Sequence, residues 1–439
     1  MSLQLPQLPE TWSTTRVDRV ASVNARIGWK ALTADEYQPN GYAFLSTPNI
    51  KTRDIDFQNV NYITEARYEE SPELKLQEGD VLLAKDGNTL GIVNIVRGLP
   101  RATTVNGSIA VLRPFDINST FLKYLIECQF IQATINLLKG GMGVPHLFQW
   151  DIKRLPVPLP PPDEQRRIAD FLDAETARID RLSELRNQQV DRVNERYHVA
   201  ISELTTPGIS SEHERHVEWP WLPAKIPTVR LGYCAQVQTG VTVHGSREQT
   251  PGDKEYPYLR VANVQGEKLD LSEIKSIILP GQMALRSTLQ PGDVVMTEAN
   301  GNPDNLGRGA VWRGEISGMV HQNHIFAIRA DQRILLPEYL SALLASSHGR
   351  RYFRHTSSQV GIATTSSSKV LNFPIPKISV DKQAEVIKRY QAERARTHRA
   401  LEVLHQQLTL LNERRQALIT AAVTGQFDVS TASGRGVTE

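Results

Sequence analysis

The feature that most constrains the fold is a proline-rich segment joined to a long helical pattern, because it occurs twice. The first copy runs from Pro156 to about Gly208, and the second from Pro374, 218 positions later, to about Gly425. At about 1.5 Å per residue, some forty residues of helix form a rod of roughly 60 Å. Since an apolar face of that length requires a partner, we expect the two helices to pack on each other.

The apolar spacing of both helices indicates a coiled coil. The seam, the stripe of residues at alternating four-residue and three-residue steps, is interrupted in the second helix only by Arg415. The other residues of this seam are Thr397, Leu401, Leu404, Leu408, Leu411, Leu418 and Ala422. The first helix has a less regular seam of Ile168, Leu172, Ile179, Leu182, Val190, Val193, Tyr197, Ala200 and Leu204. We predict an antiparallel pair with pseudo-twofold symmetry. Asp163 and Asp381 are the predicted N-caps, and Gly208 and Gly425 the predicted stops.

The segments that precede the helices also repeat. Residues 16–23 match 230–237, and residues 44–50 match 258–264, both at an offset of 214 positions. Gly79-Asp80 and Gly292-Asp293 each form a turn signal before a short apolar strand. Later pairs, at offsets that reach 218, are the strands 109–113 and 325–329 and the helix-like segments 121–136 and 337–348.

These repeats predict an α+β protein with two tandem homologous domains, each followed by a long helix. The predicted boundaries are residues 1–155 for the first domain, 156–216 for the proline segment and first helix, 217–377 for the second domain, 378–425 for the second helix and 426–439 for a tail.

Composition restricts the class of protein only weakly. The 439 residues include 50 basic and 48 acidic side chains, so the net charge of +2 excludes neither nucleic acid nor protein partners. The second domain has the largest excess of basic over acidic side chains.

Two cysteines, Cys128 and Cys234, are too few and too distant for a thiolate metal site. The N-terminus has no signal-peptide pattern and no apolar stretch is long enough to span a bilayer, so we expect a soluble, cytoplasmic protein without a membrane partner.

Polar, glycine-bearing loops at corresponding positions are the candidate ligand contacts. They cover residues 85–91 and 140–147 in the first domain and 298–308 and 358–365 in the second, although Asp-Gly and Asn-Gly also suit simple turns. Side chains in and near these loops carry the donors that pair with bases and phosphates. The predicted DNA-binding residues are Lys51, Lys85, Asn88, Arg101, Lys153, Arg260, Asn300, Arg308, Gln322, His324, Arg351, Arg354 and Lys369.

Motifs that would indicate catalysis are weak or missing in the sequence. There is no phosphate-binding loop, no His-Glu-x-x-His, and no methyltransferase tetrapeptide, since residues 302–305 lack its second proline and its aromatic. The three-residue nuclease pattern occurs at residues 73–75 and 273–275, where no well-placed Asp supports it. The spacing of His244, His321 and His324 along the sequence does not match a known metal-binding motif. We therefore predict no catalytic residues and no metal site.

Two segments resemble the specificity (S) subunit of type I restriction-modification enzymes. They are residues 155–168, which read Leu-Pro-Val-Pro-Leu-Pro-Pro-Pro-Asp-Glu-Gln-Arg-Arg-Ile, and residues 415–426 at the end of the second helix. The Gly-Asp turns and residues 322–326 are also typical. The resemblance covers essentially the whole chain.

The resemblance implies two target recognition domains that each read one half of a split sequence in double-stranded DNA, with the helices setting the spacer. It also implies a non-catalytic chain without its own cofactor. The implied partners are two methyltransferase subunits and restriction subunits, which would hold S-adenosylmethionine, ATP and Mg. Because Lys382 replaces Glu164 and residues 378–380 lack the prolines of the first copy, we expect a less rigid second connection.

Two other functions stay open at the level of sequence. One is a coiled-coil adaptor whose modules bind proteins or small ligands through apolar pockets, although the loops here are polar. The other is a fused methyltransferase and nuclease, which methyl transfer by the chain alone would reveal.

Overall fold

The computed structural model describes residues 7–25, 32–140, 143–242, 250–301, 306–358 and 362–429. The chain forms two compact units. The first unit combines Met1–Arg186 with Gln406–Glu439, and the second contains Asn187–His405. Each unit therefore takes part of each long helix. The predicted domain boundaries, which assign the helices to separate segments, stay a prediction.

The first unit contains nine strands and four short helices within the described residues. Its elements are β1 Ser13–Arg16, β2 Ala21–Asn24, β3 Tyr42–Leu45, β4 Asn61–Ile63, α1 Glu65–Glu69, β5 Val81–Ala84, β6 Val93–Ile95, β7 Thr103–Val105, β8 Ile109–Pro114, α2 Ser119–Glu127, α3 Gln129–Leu138, α4 Gln149–Lys153 and β9 Pro156–Leu159, followed by the long helix α5 Pro162–Thr205.

An antiparallel sheet with the order β2-β8-β5-β6 forms the centre of the first unit. Every residue of β5 is buried, which explains its continuous apolar run. The turn before it needs Gly79 because φ there is +88°, a conformation that a side chain disfavours. A second sheet has the order β4-β3-β7, in which β3 and β7 are parallel. The predicted Gly-Asp turn and buried strand are confirmed.

The second unit has thirteen strands and four short helices in its described part. They are β10 Thr228–Arg230, β11 Ala235–Thr239, β12 Lys254–Leu259, β13 Val264–Gln265, β14 Lys268–Leu269, β15 Lys275–Leu279, α6 Gly281–Ser287, β16 Val294–Thr297, β17 Ala299–Asn300, β18 Gly309–Val311, β19 Val320–His321, β20 Ile325–Ala330, α7 Pro337–Ala345, α8 Ser347–Thr356, β21 Ala363–Thr364, α9 Ser367–Leu371 and β22 Pro374–Pro376, followed by α10 Val380–Val423.

The second unit repeats the strand order of the first. Its main sheet is β11-β20-β16-β18, and its second sheet is β15-β12-β19 with β12 and β19 parallel. Gly292, at φ +95°, occupies the turn before β16. Matching order and direction in both sheets are what the repeated sequence predicts.

An ion pair with a buried carboxylate recurs at the same place in both units. Arg113 donates to both carboxylate oxygens of Asp80 at 2.8 and 2.9 Å, and Arg329 donates to those of Asp293 at 2.8 and 2.7 Å. Both carboxylates also accept a backbone N–H from the preceding turn. The Asp of each Gly-Asp turn is therefore a structural residue that joins the turn to β8 or β20.

Both proline segments are β-strands. In the first unit β9 pairs antiparallel with β1, and in the second β22 pairs with β10. Proline has no N–H to donate, so it is confined to strands with a free edge, which two-stranded sheets provide. The first and last strands of each unit are thus neighbours.

The two long helices have 44 residues each, close to the predicted forty. The predicted N-caps are wrong, because Asp163 and Asp381 lie inside the first turns. At α10 the cap is Ser379, whose hydroxyl accepts the N–H of Lys382 at 3.3 Å. Gly208 and Gly425 follow the helix ends with φ of +82° and +70°, as stop signals do.

A buried glutamine fixes the start of each long helix. Gln165 accepts the N–H of Asn118 and donates to the carbonyl of Pro160, both at 2.8 Å. Gln383 accepts the N–H of Leu336 at 2.8 Å and donates to the carbonyl of Ile378 at 3.2 Å. The segments that lead into α5 and α10 are therefore held by the same kind of hydrogen bonds. The lower rigidity expected of the second segment stays a prediction.

The long helices pack against each other within each unit. In the first, Ile168 and Leu172 of α5 share a core with Ile419 and Val423 of α10, and further along Asp180 lies 3.5 Å from Arg415. This order makes the two segments antiparallel. In the second unit Tyr197 and Ile201 of α5 share a cluster with Tyr390 of α10. The seam positions predicted to be apolar are buried or half-buried in both, except Leu182, which is exposed.

Each predicted helix-like segment is two helices rather than one. The breaks fall at Cys128, between α2 and α3, and at Ser346, between α7 and α8, where the backbone turns extended. Apolar spacing continues through both breaks, so periodicity alone does not show them. No helix in the described ranges is long and apolar enough to cross a membrane.

Candidate nucleic-acid interface

In the first unit two predicted loops are joined by backbone hydrogen bonds. The N–H of Leu147 donates to the carbonyl of Lys85 at 2.9 Å, and that of Gly87 donates to the carbonyl of Pro145 at 2.9 Å. Asp86 and His146 form an isolated antiparallel bridge. The loop after β5 and the loop after α3 therefore form one surface, which we call the first loop cluster (described residues 85–91, 140 and 143–148).

The second unit brings the corresponding loops together in the same way. The N–H of Thr365 donates to the carbonyl of Glu298 at 2.9 Å, and Asn300 pairs with Ala363 where β17 meets β21. The N–H groups of Lys85 and Glu298 also donate to equivalent partners, the carbonyls of Ser108 and His324, both at 2.8 Å. We call this surface the second loop cluster (described residues 298–301, 306–308, 358 and 362–366). Residues 141–142, 302–305 and 359–361 of these predicted loops lie outside the described residues.

The side chains of the first loop cluster are linked through one carboxylate. Lys85 Nζ lies 3.1 Å from Asp86 Oδ2, and His146 Nδ1 contacts Asp86 Oδ1. Lys85 is buried, so its amine is held in place rather than extended into solvent. Asn88, two residues after Asp86, is exposed, and its amide has a donor and an acceptor of the kind that pair with base edges.

The second loop cluster has different chemistry on the same framework. Glu298 stands at the position of Lys85, and its Oε2 lies 3.1 Å from Nδ1 of the exposed His324. Asn300 lies half-buried in β17. The side-chain oxygen of Gln322 accepts the N–H of Val261 at 3.3 Å, so this residue supports the backbone.

Three predicted arginines lie around Arg350, which the sequence reasoning missed. Arg351 and Arg354 line a cavity of about 200 Å³ together with Arg350 and His198. Arg308 and Arg350 share a larger cavity, and burial followed by repulsion from Arg350 lowers the pKa of Arg308. The run of three arginines and two histidines in α8 was the available signal.

The other predicted residues make separate contacts. Arg101 stacks over Tyr62 at 5.1 Å, and Arg260 lies 3.2 Å from the carboxylate of Glu273. Lys51 is exposed at the edge of a cleft, Lys153 is half-buried in the last turn of α4, and Lys369 is half-buried in α9. Their roles as DNA contacts stay a prediction.

An exposed aromatic pair at the end of the first loop cluster was also missed. Phe148 and Trp150 stack at 6.2 Å, His146 meets the edge of Phe148 at 4.6 Å, and the guanidinium of Arg154 lies 5.3 Å from the Trp150 ring. Phe148 is 45% and Trp150 is 55% exposed, which leaves flat apolar surface next to polar donors. Sequence alone does not separate these aromatics from core residues.

The structure shows what the histidines considered as metal ligands and the two three-residue nuclease patterns contact. His321 is fully buried and its Nδ1 lies 3.1 Å from the carbonyl of Ile325; burial lowers its pKa to about 4. His244 lies outside the described residues. No group of three potential metal ligands occurs in the described part of the chain. Of the two nuclease patterns, Lys75 pairs with Glu69 at 2.6 Å and Glu273 pairs with Arg260.

Comparison with known proteins shows what this chain is similar to. Residues 9–192 match the family model described as type I restriction modification DNA specificity domain. The whole chain resembles specificity subunits of type I restriction enzymes. It is 21% identical over 432 residues to the StySPI specificity subunit of Salmonella potsdam and 23% identical over 437 residues to the EcoKI specificity subunit of Escherichia coli K12. Each match covers 96% of this chain and 90% of the relative.

A solved structure supports the fold. The chain matches, with a TM-score of 0.69 and 16% identity, a protein described in terms of complex assembly and conformational transition of the type I R-M system. The match covers 96% of this chain and 100% of the other. The resemblance predicted from the proline segment and the long helices is confirmed.

Proposed function

We propose that this chain is the DNA sequence-recognition subunit of a type I restriction-modification complex and reads a bipartite target, with one half-site for each loop cluster. One observation carries the proposal. Two units with the same strand order present equivalent loop clusters that differ in their side chains, as at Lys85 and Glu298. A reader of two different half-sites needs this combination of a shared framework and separate chemistry.

The contacts within the clusters suggest how the reading is divided. Exposed amide and imidazole groups, such as Asn88 and His324, have donors and acceptors that suit base edges. The arginines of α8 suit phosphates, whose contacts position a protein without reading sequence. The proposed spacer is set by α5 and α10, which are of equal length.

The proposal includes partners that supply the chemistry. Two methyltransferase subunits would use S-adenosylmethionine, and restriction subunits would use ATP and Mg, while this chain supplies no catalytic group. If the chain alone transferred methyl groups from S-adenosylmethionine to DNA, this division of labour would be wrong. The cytoplasmic location also stays a prediction.

Methylation mapping tests the proposal directly. The chain is expressed with its partner subunits in cells that have no other adenine methyltransferase, and N6-methyladenine is mapped across the genome. We expect two short half-sites separated by a fixed number of unspecified base pairs. A single uninterrupted site, or no sequence preference, would contradict the bipartite assignment.

Shortening the helices tests the spacer separately. Equal numbers of whole heptads are removed from α5 and α10, and methylation is mapped again. The spacer should change while both half-site sequences stay the same. The matched control is the same deletion in one helix only, which breaks the pairing and should abolish methylation. Altered half-site sequences would show that the helices do not act as the ruler.

A further inference from the structure

The aromatic pair at the end of the first loop cluster has no counterpart in the second unit. Helices α4 and α9 are each five residues long and begin 218 positions apart, so they correspond residue by residue. Phe148 and Trp150 of the first unit stand where the second unit has Ser366 and Ser368. The same helical turn therefore carries two large rings in one unit and two hydroxyls in the other.

The residue before each helix shows that the rings do not improve the fold. In the second unit Ser366 is the N-cap of α9, and its hydroxyl accepts the N–H of Lys369 at 3.4 Å. In the first unit the N-cap of α4 is Phe148, whose ring has no acceptor, so α4 begins without a side-chain cap. An apolar residue at this position makes a helix less stable than serine does.

Both rings also leave much of their surface in water. Phe148 and Trp150 are exposed, and contact between aromatic surface and water is unfavourable. An absent cap and two exposed rings are thus unfavourable features at one place, and both would be stabilised if a ligand covered the rings. Local departures of this kind are typical of residues that serve binding rather than folding.

The rings are held in a defined orientation before any ligand arrives. The planes of Phe148 and Trp150 meet at 20°, and the ring of His146 meets the edge of Phe148. His146 also contacts Asp86, which connects the pair to the loop after β5. The guanidinium of Arg154 lies 5.3 Å from the centre of the Trp150 ring. Side chains positioned in advance lose little conformational freedom on binding.

The charge near the pair is positive. Residues 139–154 contain three basic side chains, Lys139, Lys153 and Arg154, and one acidic side chain, Asp151. Lys139 donates to a neutral amide at 3.2 Å and Arg154 lies over a neutral ring, so these two contacts do not cancel the charges. Asp151 is buried and offsets only part of them. A polyanion is therefore attracted to this segment.

Flat rings with cations beside them match the chemistry of DNA, in which flat bases alternate with phosphates. Aromatic side chains stack on bases of any identity, because every base has a π face. In a duplex an apolar side chain reaches these faces by inserting at a base step, which opens the step and kinks the helix. Ser366 and Ser368 have no ring, so α9 does not offer this contact.

We propose that Phe148 and Trp150 insert at a base step in or beside the half-site that the first unit reads and stack on the opened bases. The inference rests on the proposed function, because it takes the first loop cluster to be a DNA-reading surface. Stacking adds affinity and deforms the duplex without selecting a base. The two units therefore hold their half-sites differently at corresponding helices.

Binding of the target duplex gives the first test, by fluorescence anisotropy on the complex with its methyltransferase. Phe148→Ser and Trp150→Ser introduce the residues of the second unit, and each should weaken binding about tenfold. Trp150→Phe keeps a flat ring and should retain most of the affinity. Phe115→Ser is the matched control, since Phe115 is 65% exposed in the same unit but lies outside the first loop cluster. Its affinity should equal that of the wild type.

The opened base step is tested with a fluorescent purine analogue whose emission changes when it loses its stacked neighbours. The analogue is placed at each position of the target in turn, and the protein is present at saturating concentration. We expect a change at one step in or beside one half-site that is lost when Phe148→Ser and Trp150→Ser are combined. A pattern of emission that is the same in the wild type and the double variant would overturn the insertion.

Folding and assembly are measured on the same variants. Phe148→Ser gains a cap as it loses ring contacts, so its free energy of unfolding should stay close to that of the wild type. If a serine variant fails to fold by circular dichroism, Phe148→Asn replaces it, because asparagine also caps helices. Weaker assembly with the methyltransferase in the absence of DNA would make the pair a protein contact and would overturn the inference.

Methylation mapping separates this inference from the proposed function. If the wild type methylates a bipartite target and the serine variants bind it as tightly as the wild type does, the proposed function stands and the inference is wrong. If the wild type shows no bipartite target, the proposed function itself fails. With both right, the serine variants methylate the same two half-sites as the wild type, but less efficiently.

Discussion

The two units fasten the long helices with different chemistry at corresponding positions. In the first unit Arg415 of α10 contacts Glu127 and lies 3.5 Å from Asp180. In the second unit the corresponding helix residue, 218 positions earlier, is Tyr197, whose hydroxyl donates to Glu267. Arg415, the one charged residue in the seam of that helix, is therefore its anchor to α2.

The hydrogen bonds that start α3 and α8 are nevertheless the same. The hydroxyl of Thr420 accepts the N–H of Gln129 at 3.1 Å, and the hydroxyl of Ser202 accepts the N–H of Ser347 at 2.8 Å. Both hydroxyls belong to the long helices, at positions 218 apart. The comparison of the units teaches that small polar groups, backbone and the Asp-Arg pair of each Gly-Asp turn preserve the framework, whereas the charged side chains around the long helices differ.

The helices that these hydroxyls cap show the divergence most clearly. α3 has the sequence QFIQATINLL and no charged residue, with Leu137 60% exposed. α8 has the sequence SHGRRYFRHT and presents three arginines. The same structural position therefore offers an apolar surface in one unit and a basic surface in the other.

Removing the anchor of the first unit should have the largest effect. Arg415→Ala leaves Glu127, whose side chain is 17% exposed, with Lys123 alone, and we expect a loss of about 3 kcal/mol of stability in that unit. Tyr197→Phe in the second unit should cost about 1 kcal/mol, because one hydrogen bond to Glu267 is lost while Arg394 remains. Native-state hydrogen exchange measures amides of α2 and α7 separately. Equal losses in both units would contradict the difference between the two anchors.

Substitutions in the loop clusters should come next and should separate the half-sites. If the proposed function is right, Asn88→Ala weakens recognition of one half-site by about 1–3 kcal/mol, and Asn300→Ala does the same for the other. Fluorescence anisotropy is measured for the complex with its methyltransferase on duplexes altered in one half-site at a time. A uniform loss on every duplex would show that these amides contact phosphates rather than bases.

The shared hydroxyls should give smaller and equal effects. Thr420→Ala and Ser202→Ala each leave one helix N–H without its partner. We therefore expect each substitution to lower the free energy of unfolding by about 1 kcal/mol, measured by chemical unfolding. Ser183→Ala on α5 is the control and should cost less. A large difference between the two variants would mean that the common framework is not held equally in the two units.

The acid sensitivity that arises from Glu127 should be the smallest effect and should appear in the first unit. Burial raises the pKa of Glu127, but the charges of Lys123 and Arg415 outweigh it and leave the pKa below its ordinary value. A lowered folded-state pKa contributes stability that is present at neutral pH and is lost as pH falls below the ordinary Glu pKa of about 4.3. Hydrogen exchange of α2 between about pH 5 and about pH 3 should show this loss. Glu127→Gln should reduce the pH dependence of hydrogen exchange in α2. Helix α7, where Ala345 occupies the equivalent position, should show no pH dependence from this source.

Much of the framework was predictable because its signals are local. Glycine and aspartate before an apolar run identify the turns that lead into β5 and β16, and the spacing of apolar residues identifies α5 and α10. The N-caps were wrong because capping depends on the conformation of one residue: Ser379, whose hydroxyl accepts the N–H of Lys382. The breaks at Cys128 and Ser346 were missed because apolar spacing passes through them unchanged.

The loop clusters were predictable only in part, because their pairing is not local. Asp86 and His146 are 60 residues apart, and the sequence contains no pattern that joins them. Constant offset between the repeats did indicate that the loops correspond. It did not reveal Arg350, which became evident only once α8 was placed beside Arg308 and His198.

The pairing of β1 with β9 and of β10 with β22 has a consequence for domain exchange. Within each unit the first strand and the strand that leads into a long helix are adjacent, with Ser13 opposite Leu159 and Thr228 opposite Pro376. The residues between these neighbouring ends are therefore attached to the long helix at one place. If the proposed function is right, exchanging them for another such segment would change one half-site and leave the other half-site and the helix unchanged.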